Sequence, residues 1–268
     1  MTNLSTPLSI AVAQSHVTAD IRTNGRHVRA LMQRAHEKGA RLIQFTECAL
    51  SGRARNHITN WHRVDWDALD EELIETAALA RKLKLWTVIG CNHRLPPPNA
   101  PHNSLYIISN KGVIVTRYDK RLCASDGSSL WYTPGFASTT FVVDGYRFGC
   151  ALSTEVHYPE LFAAYERLSV DVVLLSCHSE EAIFAIEGQA HASINALWIG
   201  LATAVETSKG LPGGVIGPDG NFIVRNRRTM ASIVIASIDR SRPEYTRLHS
   251  RTRLRALPGL QDSQGMKA

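Results

Sequence analysis

Arg41-Leu42-Ile43-Gln44-Phe45-Thr46-Glu47 is a short, mostly apolar run that ends on a carboxylate, and its neighbours decide what kind of sheet it joins. On its N-terminal side, residues 20–38 carry Val28, Leu31, Met32 and Ala35 at helical spacing, and Gly39 closes that helix as a C-terminal glycine does. Before the helix, Ser9-Ile10-Ala11-Val12-Ala13-Gln14 reads as a buried strand. On the other side a loop leads to a second helix, with Leu69, Leu73, Ala77, Ala80 and Leu83 on one face. The strand Trp86-Thr87-Val88-Ile89-Gly90 follows. Strand, helix, strand, helix, strand is the order of a layered α/β architecture with crossover helices.

Further along, Pro96 to Pro101 is a loop, and residues 104–109 and 113–119 flank Asn110-Lys111-Gly112 as a hairpin. Strands at 139–143 and 146–152 are joined by Asp144-Gly145, a second hairpin turn. The alternation then resumes: a helix at 158–168 with Pro159 at its first position, a strand at 171–177, a helix at 182–196, and strands at 197–205 and 232–239. Gly210, Gly213, Gly214, Gly217 and Gly220 read as turns around Gly217-Pro218-Asp219-Gly220, because no Lys-Ser/Thr and helix follow as a phosphate loop requires. No solenoid-length repeat and no linker composition interrupts the chain. One domain over residues 1–268 is expected, with an arginine-rich tail from about residue 240.

The composition is that of a globular chain: 268 residues, 44% hydrophobic and 20% charged, with 11 Pro and 18 Gly, which excludes disordered, collagen-like and coiled-coil classes. No apolar window approaches a membrane span, and Met1-Thr2-Asn3-Leu4-Ser5-Thr6-Pro7 lacks the pattern of a signal peptide. The 5 cysteines, Cys48, Cys91, Cys123, Cys150 and Cys177, are odd in number, widely spaced and without a C-x-x-C pair. Reduced thiols, a cytoplasmic location and no membrane partner are therefore expected. Most of the formal charge of +6 sits between Arg240 and Arg255, where six arginines face Glu244 alone. Without a basic stripe elsewhere, a nucleic-acid partner is not expected.

The local motifs of nucleotide hydrolysis, dinucleotide binding and zinc proteolysis are absent. What remains are polar residues where apolar strands give way to loops, namely Glu47, Lys120 and Ser153. In α/β sheets that edge is where sites collect. Taken singly, Glu47 reads as a solvated strand end and Lys120 as a surface lysine. Taken together, a carboxylate, an ammonium and a nucleophile are the ingredients of acyl transfer.

These segments resemble the nitrilase superfamily of carbon–nitrogen hydrolases. Leu42 to Gly52 resembles the family's strand ending in a general-base Glu, and Tyr118-Asp119-Lys120-Arg121-Leu122 resembles its lysine segment. Phe148-Gly149-Cys150-Ala151-Leu152-Ser153-Thr154-Glu155-Val156-His157-Tyr158-Pro159-Glu160 resembles its nucleophile segment, and Tyr132-Thr133-Pro134-Gly135 and Gly217-Pro218-Asp219-Gly220 also match. The resemblance implies a four-layer α-β-β-α sandwich of two mixed sheets. It also implies hydrolysis of a small amide, carbamoyl compound or nitrile through a covalent acyl-enzyme, with no cofactor and no metal. Glu47 would be the base, Lys120 the oxyanion stabiliser and residue 153 the nucleophile. Thr154, Glu155, His178 and Asp126 would form the oxyanion and substrate-binding surroundings, and a homodimer or larger homo-oligomer would be the assembly.

The departures are specific. Ser153 stands where the family carries its cysteine, Ser128 where many members place an additional Glu, His157 where an Arg is common, and His191 and Ile194 where many members have Arg and Glu. Cys150 reads as core, because a shift of three residues along a strand changes both depth and face. Two readings stay open: an amidase-like hydrolase whose nucleophile was replaced, by engineering or in nature, and a catalytically silent small-molecule-binding or assembly protein on the same fold. The arginine-rich tail is open likewise, between a role in assembly and a solvated end.

Overall fold

The computed structural model describes residues 6–122, 131–242 and 245. The first half runs β1 (Leu8–Gln14), α1 (Ile21–Glu37), β2 (Leu42–Gln44), α2 (Trp66–Leu83), β3 (Trp86–His93), β4 (His102–Ile108) and β5 (Ile114–Asp119). The second half runs β6 (Thr140–Val143), β7 (Tyr146–Leu152), α3 (Pro159–Arg167), β8 (Val172–Ser176), α4 (Ile183–Asn195), β9 (Trp198–Ala202), β10 (Gly214–Ile216), β11 (Phe222–Arg225) and β12 (Ser232–Ile238). Helices α1, α2 and α3 begin where the sequence supplies a start signal. Asp20 accepts from the Thr23 N–H at α1, Asp65 accepts from the Ala68 N–H at α2, and Pro159 opens α3.

The strands form two six-stranded sheets, ordered β12-β1-β2-β3-β4-β5 and β11-β10-β9-β8-β7-β6. Both are mixed: β1, β2 and β3 run parallel in the first and β7, β8 and β9 in the second, with antiparallel neighbours outside them. Alternation along the strands makes three apolar layers. Ile10, Val12, Leu174 and Trp198 meet between the sheets, Ala11, Ile43 and Ile89 face Val28, Leu31 and Leu69 of α1 and α2, and Val173 and Leu175 face Phe162, Tyr165 and Phe184 of α3 and α4. Strands buried on both faces have to be apolar throughout, which is why their runs lack a polar alternation. The order of layers is helices, sheet, sheet, helices, the nitrilase-type sandwich.

Polar groups pin the two sheets to each other along one line. Gln44 Nε2 donates to Leu175 O at 3.0 Å, Ser176 Oγ at 3.1 Å and Gly200 O at 3.1 Å. Ser176 Oγ donates to Phe45 O at 2.8 Å, and Thr46 Oγ1 donates to Cys177 O at 2.5 Å. Any side chain at Gly200 would place its Cβ 2.3 Å from Gln44 Oε1, so the bridge requires glycine there. The expected strand at 41–47 is accordingly shorter than its apolar run: the Phe45 N–H still donates to Val88 O at 2.8 Å, while the Phe45 carbonyl and the Thr46 hydroxyl bond to the other sheet. A second correction concerns Gly213 and Gly214, expected in turns. Gly214 begins β10, which pairs with β9 and β11, while Gly210 lies in a turn over residues 205–210 and Gly217–Gly220 form another. A Cβ at Gly214 would meet Val224 O at 2.3 Å, so glycine here permits close strand packing rather than a turn.

Among the described residues no helix is long and apolar enough to cross a membrane. Cys48, Cys91, Cys150 and Cys177 are free and buried. Cys150 lies in the layer between the sheets, with Tyr165 OH donating to its carbonyl at 2.6 Å, as expected of a core residue. Arg240 pairs with Asp171, while the arginine-rich stretch from residue 246 onward lies outside the described residues.

Candidate active site

The line of cross-sheet bonds ends where β2, β5, β7 and β8 give out, and there the expected residues meet. Glu47 follows β2 in a turn whose next residue, Cys48, takes a φ of 54°. Gly90 on β3 permits that turn, since a Cβ would meet Thr46 O at 2.2 Å and Cys48 N at 2.5 Å. The Glu47 carboxylate is buried, with Oε1 accepting from Asn103 Nδ2 at 2.6 Å and, among the described residues, no hydrogen-bond partner for Oε2. Burial acts to raise its pKa, but Lys120, then Arg53, the Asn103 bond and His178 outweigh it and hold the carboxyl below its ordinary value.

Lys120 follows β5 and is half-buried. Its N–H donates to Asn103 O at 2.9 Å, and its carbonyl accepts from Gly135 N at 2.8 Å. Asn103 thus binds the Glu47 carboxylate with its side chain and the Lys120 backbone with its carbonyl. Asn92, its cross-strand partner on β3, takes the other side: its Nδ2 donates to Gly52 O at 3.1 Å, and its Oδ1 accepts from Tyr132 OH at 3.1 Å.

Ser153 is the first residue beyond β7, 4% exposed, with φ at 48°. A non-glycine residue held there stores strain, as residues at the tips of strands in active sites do. Parallel pairing sets Leu152 beside Ser176, which brings Ser153 beside Cys177 on the next strand. Thr46, next to Glu47, bonds Cys177 O, and Asn103 bonds both the Glu47 carboxylate and the Lys120 backbone, so the three expected residues fall in one neighbourhood. Burial pushes the Cys177 thiol far up, and burial followed by Glu47 pushes Cys48 up to about 12, so both remain protonated thiols at neutral pH.

The surrounding residues divide. Among the described residues, Thr154 Oγ1 and His178 Nδ1 are buried without hydrogen-bond partners, like Glu47 Oε2. Orphaned polar atoms in one region mark a place where a ligand or water completes the bonding. Burial drives the His178 imidazole down to about 4, so it is neutral at pH 7, and the edge of its ring faces His57 at 6.1 Å between centroids. Glu155 departs from the expected ligand contact. Its Oε2 accepts from Tyr118 OH at 2.7 Å and Leu152 N at 2.8 Å, and its Oε1 accepts from Arg121 N at 2.7 Å and Leu122 N at 3.1 Å. With every acceptor direction taken by the protein and no exposed surface, it ties the lysine segment to the serine segment. Asp126 and Ser128 lie outside the described residues. Among the described residues, no group of three or more His, Cys, Asp or Glu could hold a metal ion.

Asn103, Asn92, Arg53 and Tyr132 are site residues that sequence reasoning missed. The asparagines carry a readable signal, an uncharged polar residue near the end of each of two apolar runs, whereas Arg53 sits in a loop without one and Tyr132 reads only as part of the matching segment Tyr132–Gly135. His157 and His191, found where arginine is common, have local partners: His157 Nδ1 meets Glu187 at 2.5 Å, and His191 stacks on Phe162 at 3.9 Å and contacts Val156 O at 2.8 Å.

A model of the carbon–nitrogen hydrolase family matches residues 9–247. Among solved structures, an amidase from Nesterenkonia sp. is 18% identical and superposes with a TM-score of 0.77, covering 91% of this chain and 96% of its own. A cysteine-to-alanine mutant of the Nesterenkonia AN1 amidase in complex with butyramide is 17% identical at a TM-score of 0.78, covering 93% and 97%. A glutamate-to-glutamine mutant of that amidase, which carries the acetamide moiety of fluoroacetamide at its active-site cysteine, gives the same identity, TM-score and coverage.

Proposed function

Because this chain belongs to the carbon–nitrogen hydrolase family, we propose that it cleaves the C–N bond of a small amide, carbamoyl compound or nitrile through an acyl-enzyme on Ser153. The observation that supports the reading is that Asn103 bonds both the Glu47 carboxylate and the Lys120 backbone while Thr46 bonds Cys177, the neighbour of the strained Ser153. For an amide, the Ser153 hydroxyl attacks the carbonyl carbon while Glu47 takes its proton. The Lys120 ammonium and the Thr154 N–H stabilise the oxygen as it becomes negative. The tetrahedral adduct collapses by breaking the C–N bond, and Glu47 passes its proton to the departing nitrogen. Water, deprotonated by Glu47, then attacks the ester, and the C–O bond breaks as Glu47 returns that proton to the Ser153 oxygen, releasing the acid. Glu155 and Asn103 are positioning residues, since both act through the segments they hold.

A serine hydroxyl is far harder to ionise than a thiol, and among the described residues Ser153 Oγ has no hydrogen bond to Glu47. That favours a second reading, a protein that retains amides without turning them over. Ammonia release from a panel of amides, carbamoyl compounds and nitriles, compared between this chain and Ser153→Cys, separates the two. Turnover by either form supports the hydrolase, with the cysteine form expected to be faster. Silence of both on ligands that bind supports retention. Self-association, expected from the family resemblance, is supported by exposed Ile186 and Ile194 on α4 beside exposed Tyr158 at the start of α3.

A further inference from the structure

Cys48 follows Glu47 directly, and its thiol is the hub of a polar cluster that the reaction above leaves without a role. It is fully buried and held in a strained turn, with φ at 54°. Asn92 and Asn103, paired across β3 and β4, both turn their amide oxygens to its sulfur: Asn92 Oδ1 and Asn103 Oδ1 each lie 3.6 Å from Cys48 Sγ. Their NH₂ groups point elsewhere, Asn92 Nδ2 to Gly52 O at 3.1 Å and Asn103 Nδ2 to Glu47 Oε1 at 2.6 Å. Tyr132 OH completes the cluster, 3.7 Å from the sulfur and donating to Asn92 Oδ1 at 3.1 Å.

Counting protons singles out the thiol. Two amide oxygens brought to one point carry no hydrogen of their own and need donors between them. The Tyr132 O–H is committed to Asn92, and among the described residues the Cys48 S–H is the one donor within reach of Asn103 Oδ1. Burial, then the charge of Glu47, pushes the thiol up to about 12, so it keeps that hydrogen at neutral pH.

The competing arrangement has the Asn103 amide rotated by half a turn, its NH₂ toward Asn92 Oδ1 and its oxygen toward Glu47. While Glu47 is ionised, that oxygen would repel the carboxylate. Once Glu47 has taken a proton, the same oxygen would accept from the new O–H and retain it. A base that must hand its proton to the leaving nitrogen is served by an amide that does not flip. We propose that Cys48 is a positioning residue whose S–H holds the Asn103 oxygen and so keeps the Asn103 N–H on Glu47, an inference that rests on the hydrolase reading for the role of Glu47 as base.

Titration of Glu47 tests this without turnover. In the chain labelled with carbon-13 at its glutamate carboxyls, the Glu47 resonance is the one that Glu47→Gln removes. Its midpoint is expected to rise in Cys48→Ala, to stay in Cys48→Ser, which keeps a donor, and to rise by less in Tyr132→Phe, where the thiol is drawn to the vacated Asn92 oxygen. Lys120, Arg53 and His178, the other groups acting on Glu47, are untouched by these variants. In an Asn103→Ala background, Cys48→Ala should move the midpoint no further. A midpoint in Cys48→Ala equal to the parent's, a rise in Cys48→Ser as large as in Cys48→Ala, or additive rises with Asn103→Ala would each overturn the inference. Ammonia release from butyramide by Ser153→Cys reads the reaction separately. Adding Cys48→Ala should lower kcat/KM on the acid limb by about three- to tenfold, the size of one hydrogen bond, with little change on the plateau. The expected midpoints with no ammonia from any form keep the role of Cys48 and remove the hydrolase; turnover with unmoved midpoints leaves the hydrolase standing and removes the role of Cys48.

Discussion

At residue scale, the decisive group is Glu47, a buried carboxylate kept ionised by Lys120, Arg53 and one asparagine. In a Ser153→Cys background, Glu47→Gln should lower turnover by about 10²–10⁴-fold, the contribution of a positioned base, with little change in the thermal midpoint. Rates of ammonia release and a melting curve check both halves. Asn103→Ala makes a different demand. The lost N–H had stabilised the charged form, so the Glu47 pKa should rise and the acid limb of the pH–rate profile should move to higher pH. An unchanged limb would show that Asn103 does not tune the base. Glu47, Lys120 and Ser153 were legible because each is a polar residue at the end of an apolar run. Asn103 carries a similar signal in its position near the end of an apolar run, but its bond to Glu47 does not follow from it, because that partner is 56 positions away in the chain and only the register of β4 against β3 and β5 brings the two together.

At the scale of elements, β5 and β7 are held in relation by Glu155, which receives four donors from the ends of both. Glu155→Gln exchanges one acceptor oxygen for an NH₂ group that must face backbone N–H donors or a tyrosine hydroxyl. Buried donors left unpaired cost about 1–3 kcal/mol each, so denaturant unfolding should show a loss of about 2–5 kcal/mol together with lower activity. Gly90→Ala should act on the other strand end, pushing the Glu47 turn outward and costing about 1–3 kcal/mol as other overpacked sites do. The strand and helix order could be read from periodicity, hairpin turns and helix caps. The end of β2 could not, since Phe45 and Thr46 look like any continuing strand until the Ser176 hydroxyl donates to the Phe45 carbonyl and the Thr46 hydroxyl donates to the Cys177 carbonyl. Nor could the short β10, whose glycines resemble turn residues until the approach of β11 explains them.

At the scale of the whole molecule, two sheets joined face to face bury histidines that an unfolded chain would expose to water. His178 has a folded value near 4 against an ordinary 6.5, and His27, His57, His93 and His191 are lowered in the same direction by burial. Between these values the unfolded chain binds more protons, so stability falls as pH drops from about 6.5 toward 4, with His178 alone accounting for up to about 3 kcal/mol. A melting series across that window should slope downward toward acid, and His178→Gln should flatten it. The exposed apolar side chains of α4, Ile186 at 60% and Ile194 at 51%, carry the expectation for assembly. Sedimentation should show an oligomer that Ile186→Lys with Ile194→Lys reduces to a monomer. The joint placement of Glu47, Lys120 and residue 153 on one carbonyl is tested most directly by intact-mass analysis and peptide mapping after exposure of this chain and Ser153→Cys to p-nitrophenyl acetate. A single acetyl group on residue 153, faster in the cysteine form and suppressed by Glu47→Gln, is the expected result. Acetylation elsewhere, or labelling of residue 153 that is indifferent to Glu47, would contradict it.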